Sequence, residues 1–254
     1  MRMIAWIRTS TFALLVWSVP LAAVWLGLNM LPREKHSVDE RLMEFGSAAR
    51  TRLLPQFLGA GVPYPPMKVV LVGLKEERRL QIYAAGHDGV LRYIADRPFL
   101  AAAGGPGPKL RAGDRQVPEG VYRIRYLNPN SIAYVSLMIG YPNDFDRERA
   151  KEEGRSNLGG DIVIHGPTPG TAGCIALTEA AVEDIFTLVA DSGVGNARII
   201  LAPRDLRRRE APQPATAKPW LKGLYTTISE DLGKLPYPGG SGASVGSAMP
   251  SAAR

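Results

Sequence analysis

The chain has 254 residues with 45% hydrophobic and 22% charged side chains, a net charge of +7 and an isoelectric point near 9.6. That balance fits one folded domain with appendages and excludes a fibrous or coiled-coil chain. The basic surplus suits an anionic polymer or lipid surface, but no zinc-finger spacing and no aromatic–basic strand motif accompanies it, so nucleic acid is not expected as a partner.

Residues 1–11 read as a cytoplasmic N-terminal tail carrying Arg2 and Arg8. Phe12–Leu31 follows without a charge and is closed by Arg33 and Lys35. About twenty apolar residues span a bilayer core, Pro20 is tolerated in such a helix, and no A-x-A-like cleavage site ends the run. The expectation over 12–31 is a signal anchor, a transmembrane helix that stays in the inner (cytoplasmic) membrane as a single pass. It would place the rest of the chain in the periplasm, on the wall side of the membrane. Cleavage of a signal peptide, releasing a secreted periplasmic protein, is the alternative.

Residues 32–62 read as a helical linker, with Val38, Leu42, Phe45, Ala49, Leu53 and Leu54 at helical spacing. Gly59, Gly61 and the "VPYPP" stretch end it. His36 lies among charges and is expected to be solvated. From residue 63 to 205 the texture is short strands separated by turns. "KVVLVGL" reads as a buried strand, and "RRLQIYAAGHDGVLRYIA" as a hairpin with His87 in its turn. Residues 101–120, rich in Gly and Pro, read as a long surface loop of the kind that often carries function. "VYRIRYL", "YVSLMIGY" and "GDIVIHG" supply further strands. Thr178 caps a helix whose apolar face is Val182, Ile185, Phe186 and Val189, and "ARIILAP" closes the domain. Residues 206–254 are basic, then low in complexity, and are expected to form a disordered tail with a short helix around Trp220–Leu232. The fold class expected is mainly β with one prominent helix (α+β), preceded by the membrane anchor helix.

The chain holds a single cysteine, Cys174, nine positions after His165. Outside the cytoplasm cysteines usually pair, and one cysteine cannot pair within its own chain. Cys174 is therefore either buried and inert or chemically used. The segment "DIVIHGPTPGTAGCIALT" puts His165 at the tip of a strand and Cys174 after a Pro/Gly loop, on the approach to the Thr178 helix. A helix N-terminus favours a thiolate, and an imidazole folded back onto it can take the thiol proton. Gly173 permits torsions that aim backbone amides at an oxyanion. On the residues alone, a structural pair and a catalytic pair both stay open.

The residues "IHG…TAGCIALT" resemble the signature of the L,D-transpeptidase catalytic domain, a His-Gly followed by Ser/Thr-x-Gly-Cys. "PYPPMKVVLVGLKEERRLQIY", "GPKLRAGDRQVPEGVYRI" and "LNPNSIAYVSLMIGYPNDFD" continue the likeness upstream, so that it covers roughly residues 63–205. The branch it is most similar to is the murein L,D-transpeptidase and peptidoglycan-amidase-like group with a short His–Cys loop. The resemblance implies a β-rich catalytic domain acting on peptidoglycan stem peptides, with Cys174 as nucleophile and His165 as general acid and base. Gly173, Gly166 and Thr171 would support the oxyanion, and the chemistry would need neither metal nor other cofactor. The acyl group would pass to a neighbouring stem, to a protein attached to the wall, or to water. Cross-linking or protein attachment, hydrolysis by an amidase, endopeptidase or carboxypeptidase, and non-enzymatic wall binding are the readings it leaves. Ala172 and Ala176 stand where many members carry His or Lys and Arg or Asn, so substrate recognition is expected from elsewhere. Lys109, Arg111 and Arg115 in the long loop and Tyr141 beyond it are the candidates.

Overall fold

The computed structural model describes residues 35–213 and 218–238. The expected anchor over 12–31 and the end of the tail, 239–254, lie outside the described residues. Among the described residues no helix is long and apolar enough to cross a membrane.

The described residues open with a short helix α1 (Val38–Arg41), pass through a π-helical turn (Leu42–Gly46) and continue as α2 (Ser47–Gly59). A capping box starts it: Ser37 Oγ accepts from the Glu40 amide while the Glu40 carboxylate accepts from the Ser37 amide. Phe45, Ala49, Leu53 and Phe57 face inward, whereas Leu54 is exposed. The segment is not a spacer but a part of the domain. Asp184 receives Arg52 and Arg97, and Asp191 receives Arg50 and the Tyr64 hydroxyl. The bonds from Arg50 and Arg52 tie α2 to the later helix α4 (Glu179–Ser192).

The strands are β1 (Lys68–Leu74), β2 (Arg79–Ala85), β3 (Arg92–Pro98), β4 (Ala101–Ala102), β5 (Gly120–Ser131), β6 (Tyr134–Ile139), β7 (Val163–His165), β8 (Ile175–Ala176) and β9 (Ala197–Ala202), with helices α3 (Asp144–Glu152), α4 (Glu179–Ser192) and α5 (Leu221–Gly233) between and after them. They form one mixed sheet in the order β3-β2-β1-β9-β5-β6-β7-β8-β4, a half-barrel. Strand β5 makes the bend. Its first residues, Gly120–Arg123, pair with β9, and from Ile124 onward it pairs with β6 across register shifts.

Strand β1 is apolar throughout because both of its faces are covered. Val69 and Leu71 join the core under α2 and α4, which also holds Phe186, Ile185 and Val182. Val70, Val72 and Leu74 face the other way, onto Leu221, Leu224, Tyr225, Ile228 and Leu232 of α5. Each fully buried side chain of this size contributes about 1.5–3 kcal/mol, so α5 is a working layer of the fold. The short helix expected around Trp220–Leu232 is found as α5, and it is packed over the back of β1 and β9 instead of forming part of a disordered tail.

A single prominent helix also falls short of the structure. Helix α3 was not expected from the sequence, although Asn143 and Asp146 form a capping box at its start. The Thr178 helix is present as read, with Thr178 Oγ1 accepting from the Ala181 amide at 3.2 Å.

Candidate active site

Strands β7 and β8 run parallel, with Ile164 opposite Ile175 and His165 opposite Ala176. Both isoleucines are fully buried in the core. Side chains alternate along a strand, so His165, one residue after Ile164, and Cys174, one before Ile175, emerge together on the face turned away from that core. The β7–β8 pairing thus brings the segments that carry these two residues side by side. Strand β8 is fixed from both sides: the Leu177 amide donates to the His165 carbonyl at 2.9 Å, and the Leu100 amide to the Ala176 carbonyl at 2.9 Å.

The loop joining them is shaped by two glycines. At Gly166, an added Cβ would lie 2.7 Å from the Ala133 carbonyl oxygen, to which the Gly166 amide donates. Gly173 has φ +116°, and a Cβ there would meet the Gln116 carbonyl oxygen at 2.7 Å. Only glycine lets the cysteine loop lie this close to the long loop before β5. Thr171 Oγ1 donates to the Cys174 carbonyl at 2.8 Å, closing a turn around the cysteine.

The imidazole is oriented by a short bond. His165 Nδ1 lies 2.8 Å from the Gly166 carbonyl oxygen. A carbonyl only accepts, so Nδ1 carries the proton and Nε2 is left as the basic nitrogen. Burial lowers the His165 pKa below its ordinary value, and the Gly166 bond offsets part of this. The ring is neutral near pH 7.

The thiol is half-buried and its Sγ donates to the Asp161 carbonyl at 3.6 Å, a long and weak contact. Burial pushes the Cys174 pKa up; the Val163 amide and the Lys109 charge pull it down, and Asp161 raises it. The net shift is upward. Cys174 and His165 make no hydrogen bond with each other, and burial favours the neutral form of each. The helix N-terminus expected to favour a thiolate is also not at the sulfur, because β8 intervenes and Thr178 caps α4.

Asp161 has φ +53°, an uncommon conformation for a residue with a side chain, and it turns its carbonyl toward the sulfur. Neither Asp161 nor the Val163 amide was legible beforehand, since backbone groups leave no signature in sequence.

The other expected residues separate into three groups. The Gly166 amide is already used by Ala133, so it is not free to receive an oxyanion. Thr171 shapes the turn through its hydroxyl, and the amide of Gly173, beside the cysteine, makes no hydrogen bond among the described residues. Lys109 is buried and anchored, its Nζ donating to Asp114 at 2.8 Å and to the Arg111 carbonyl at 2.9 Å. Its charge nonetheless acts on the thiol. Asp114 also accepts from the amides of Leu110, Arg111 and Gln116, so it organises the long loop. Arg111 and Arg115 are exposed on that loop. Tyr141 is buried, and its hydroxyl reaches the carbonyls of Leu158 and Lys109 at 3.2 and 3.4 Å. It braces the loop from below and does not line an open groove. Among the described residues no cluster of three or more His, Cys, Asp or Glu side chains could hold a metal.

Residues 67–201 match the model of the YkuD family, the L,D-transpeptidase catalytic domain. The chain belongs to this family. Among curated proteins it is 34% identical over 117 residues to "Putative L,D-transpeptidase YafK" of Escherichia coli K12; the match takes in 45% of this chain and 44% of that protein, so the chain spans less than half the length of this relative. Among solved structures it is similar to the helical cell shape determining protein Pgp2 from Campylobacter jejuni, with 26% identity, 54% of this chain, 48% of that one and a TM-score of 0.44. L,D-transpeptidase 1 of Mycobacterium tuberculosis is similar at 12% identity over 53% of this chain and 61% of that one, with a TM-score of 0.31.

Proposed function

We propose that the protein is a cysteine acyltransferase of the cell envelope, an L,D-transpeptidase that takes its acyl donor from peptidoglycan stem peptides. The observation that carries the reading is the fixed imidazole: His165 Nδ1 is tied to the Gly166 carbonyl, which leaves Nε2 as the basic nitrogen, on a strand paired with the one that Cys174 precedes. A buried base and a half-buried thiol, each favoured in its neutral form, are suited to proton transfer in step with attack. As Sγ bonds to the stem carbonyl carbon, its proton passes to His165 Nε2. The tetrahedral oxyanion collapses, the C–N bond breaks, and the departing D-alanine amine takes the proton back from His165. A thioester remains. An incoming amine then attacks it and gives its proton to His165, which returns it to the leaving sulfur.

The acceptor divides the reading: an amine of another stem makes a cross-link, a lysine attaches a protein, and water makes the enzyme a hydrolase. Transfer is the reading adopted, and the apolar segment 12–31 supports its taking place at the outer side of the cytoplasmic membrane. The test is incubation of the protein with purified tetrapeptide-bearing muropeptides, followed by mass spectrometry. Cross-linked dimers with release of D-alanine are expected. Loss of D-alanine without dimers would replace transferase by hydrolase, and unchanged muropeptides would overturn both.

A further inference from the structure

We propose that Tyr225 of the C-terminal helix α5 is a positioning residue for the cysteine, acting through a buried chain of hydrogen bonds that ends at the loop around Cys174. The proposal rests on the reading of Cys174 as the nucleophile and adds a part of the molecule outside the matched residues 67–201.

The chain of contacts starts at the Tyr225 hydroxyl, which donates to Glu119 Oε2 at 2.8 Å. Glu119 is fully buried. Its other oxygen accepts from Lys75 Nζ at 2.8 Å and from the Gly107 amide at 3.0 Å. Lys75 in turn donates to the Gly107 carbonyl at 2.9 Å, the Val117 carbonyl at 3.1 Å and Gln116 Oε1 at 3.3 Å. One ion pair, almost without solvent contact, therefore pins both ends of the long loop. That loop touches the site twice. Its Gln116 carbonyl backs onto Gly173, next to the cysteine, and its Lys109, two residues past Gly107, supplies the positive charge felt by the thiol.

A buried ion pair is sensitive to the loss of any hydrogen bond that satisfies its remaining lone pairs. Without the Tyr225 hydroxyl, Glu119 Oε2 loses its bond from α5. The carboxylate is then free to shift, and Gly107 and Lys109 shift with it. Burial and Asp161 would then raise the thiol with less opposition, since Lys109 and the Val163 amide are the groups that favour the thiolate and His165 contributes no bond at rest.

Because Cys174 is the single cysteine of the chain, alkylation by iodoacetamide reports on this sulfur alone and needs no substrate. The experiment compares the full-length wild type with Tyr225→Phe and with Ile228→Val, which trims the same helix where it packs on the sheet. Alkylation is followed by mass spectrometry across a pH series, with Tm recorded for each protein. In Tyr225→Phe the profile is expected to move to higher pH, and the rate at neutral pH to fall about three-fold or more. Ile228→Val is expected to lower Tm and leave the profile in place. A Tyr225→Phe profile coincident with wild type overturns the proposal, and so does an equal displacement in Ile228→Val, which would reduce the effect to loose helix packing. Inactivity of the wild type on muropeptides would sink the proposed function while leaving this labelling result readable.

Discussion

His165 ends strand β7 and Cys174 immediately precedes its parallel neighbour β8, and the side chain of each meets a backbone carbonyl, His165 that of Gly166 and Cys174 that of Asp161. Neither side chain hydrogen-bonds to the other. Both pKa shifts have burial as their largest cause, and burial favours the neutral form of each.

The pH dependence of labelling follows from the signs of those shifts. A raised thiol pKa means that Cys174 is protonated at neutral pH and ionises only above the ordinary thiol value of about 8.5. Iodoacetamide alkylation should climb with pH past that point. A thiolate–imidazolium pair would instead give a fast plateau extending into the acid range, and observing that plateau would contradict the neutral resting state.

Turnover should show a different profile. The base form of His165 is required, and its pKa is lowered, so activity on muropeptides should stay high on descending from neutral pH and fall only below the ordinary histidine value of about 6.5. Initial rates measured against pH test this; loss of activity already at or above pH 7 would contradict it.

Removing either partner should abolish transfer by different routes. Cys174→Ser leaves a far poorer nucleophile, with no thioester detectable by mass spectrometry. His165→Ala removes the base and should slow turnover by roughly 10²–10⁴-fold. Because the thiol is not bonded to His165, labelling of Cys174 at high pH should survive in His165→Ala. Loss of high-pH labelling would mean that the imidazole also holds the sulfur in place.

Gly173→Ala should damage site and stability together. The new Cβ would sit 2.7 Å from the Gln116 carbonyl oxygen, at φ +116°, and strain of this kind costs about 1–3 kcal/mol. Urea unfolding should show that loss, and turnover should fall with it. Gly195→Ala, where an added Cβ meets nothing within 4 Å, is the control expected to retain turnover and change stability by less.

Asp184→Ala tests whether the N-terminal helix belongs to the domain. Asp184 is buried and receives both Arg52 and Arg97. Its removal takes an ion pair from each guanidinium, leaving Arg52 on Glu183 and Arg97 on Gln56, a loss of roughly 1.5–3 kcal/mol. Denaturant unfolding should register it as one cooperative transition at lower midpoint. An unchanged midpoint would mean that α2 is only loosely attached.

Much of this architecture was legible from local pattern. The continuous apolar run of β1, the GHDG turn with exposed His87 and the capping threonine at 178 each depend on residues close in sequence, and each is found where expected. Other parts were not legible for reasons of scale. Strands β4 and β8 have two residues each, too few for any period to show. Helix α3 is almost wholly polar outside its cap, so no apolar stripe announced it. Tyr141 reads equally as a cleft residue or a packed one until its neighbours are known. Lys75 gave no local signal because its importance lies in a contact with Glu119, 44 residues away.

By itself the sequence determined the chemistry available to this protein: one thiol, one histidine nine residues before it, and glycines where only glycine fits. Those are properties of residue type and short spacing, and they survive any arrangement of the remainder. Tertiary structure alone decided the burial of the pair, the spent amide of Gly166, and the reach of α5 toward the cysteine loop. Desolvation and long-range hydrogen bonding depend on what lies around a group in space, and that is set only when distant segments pack together.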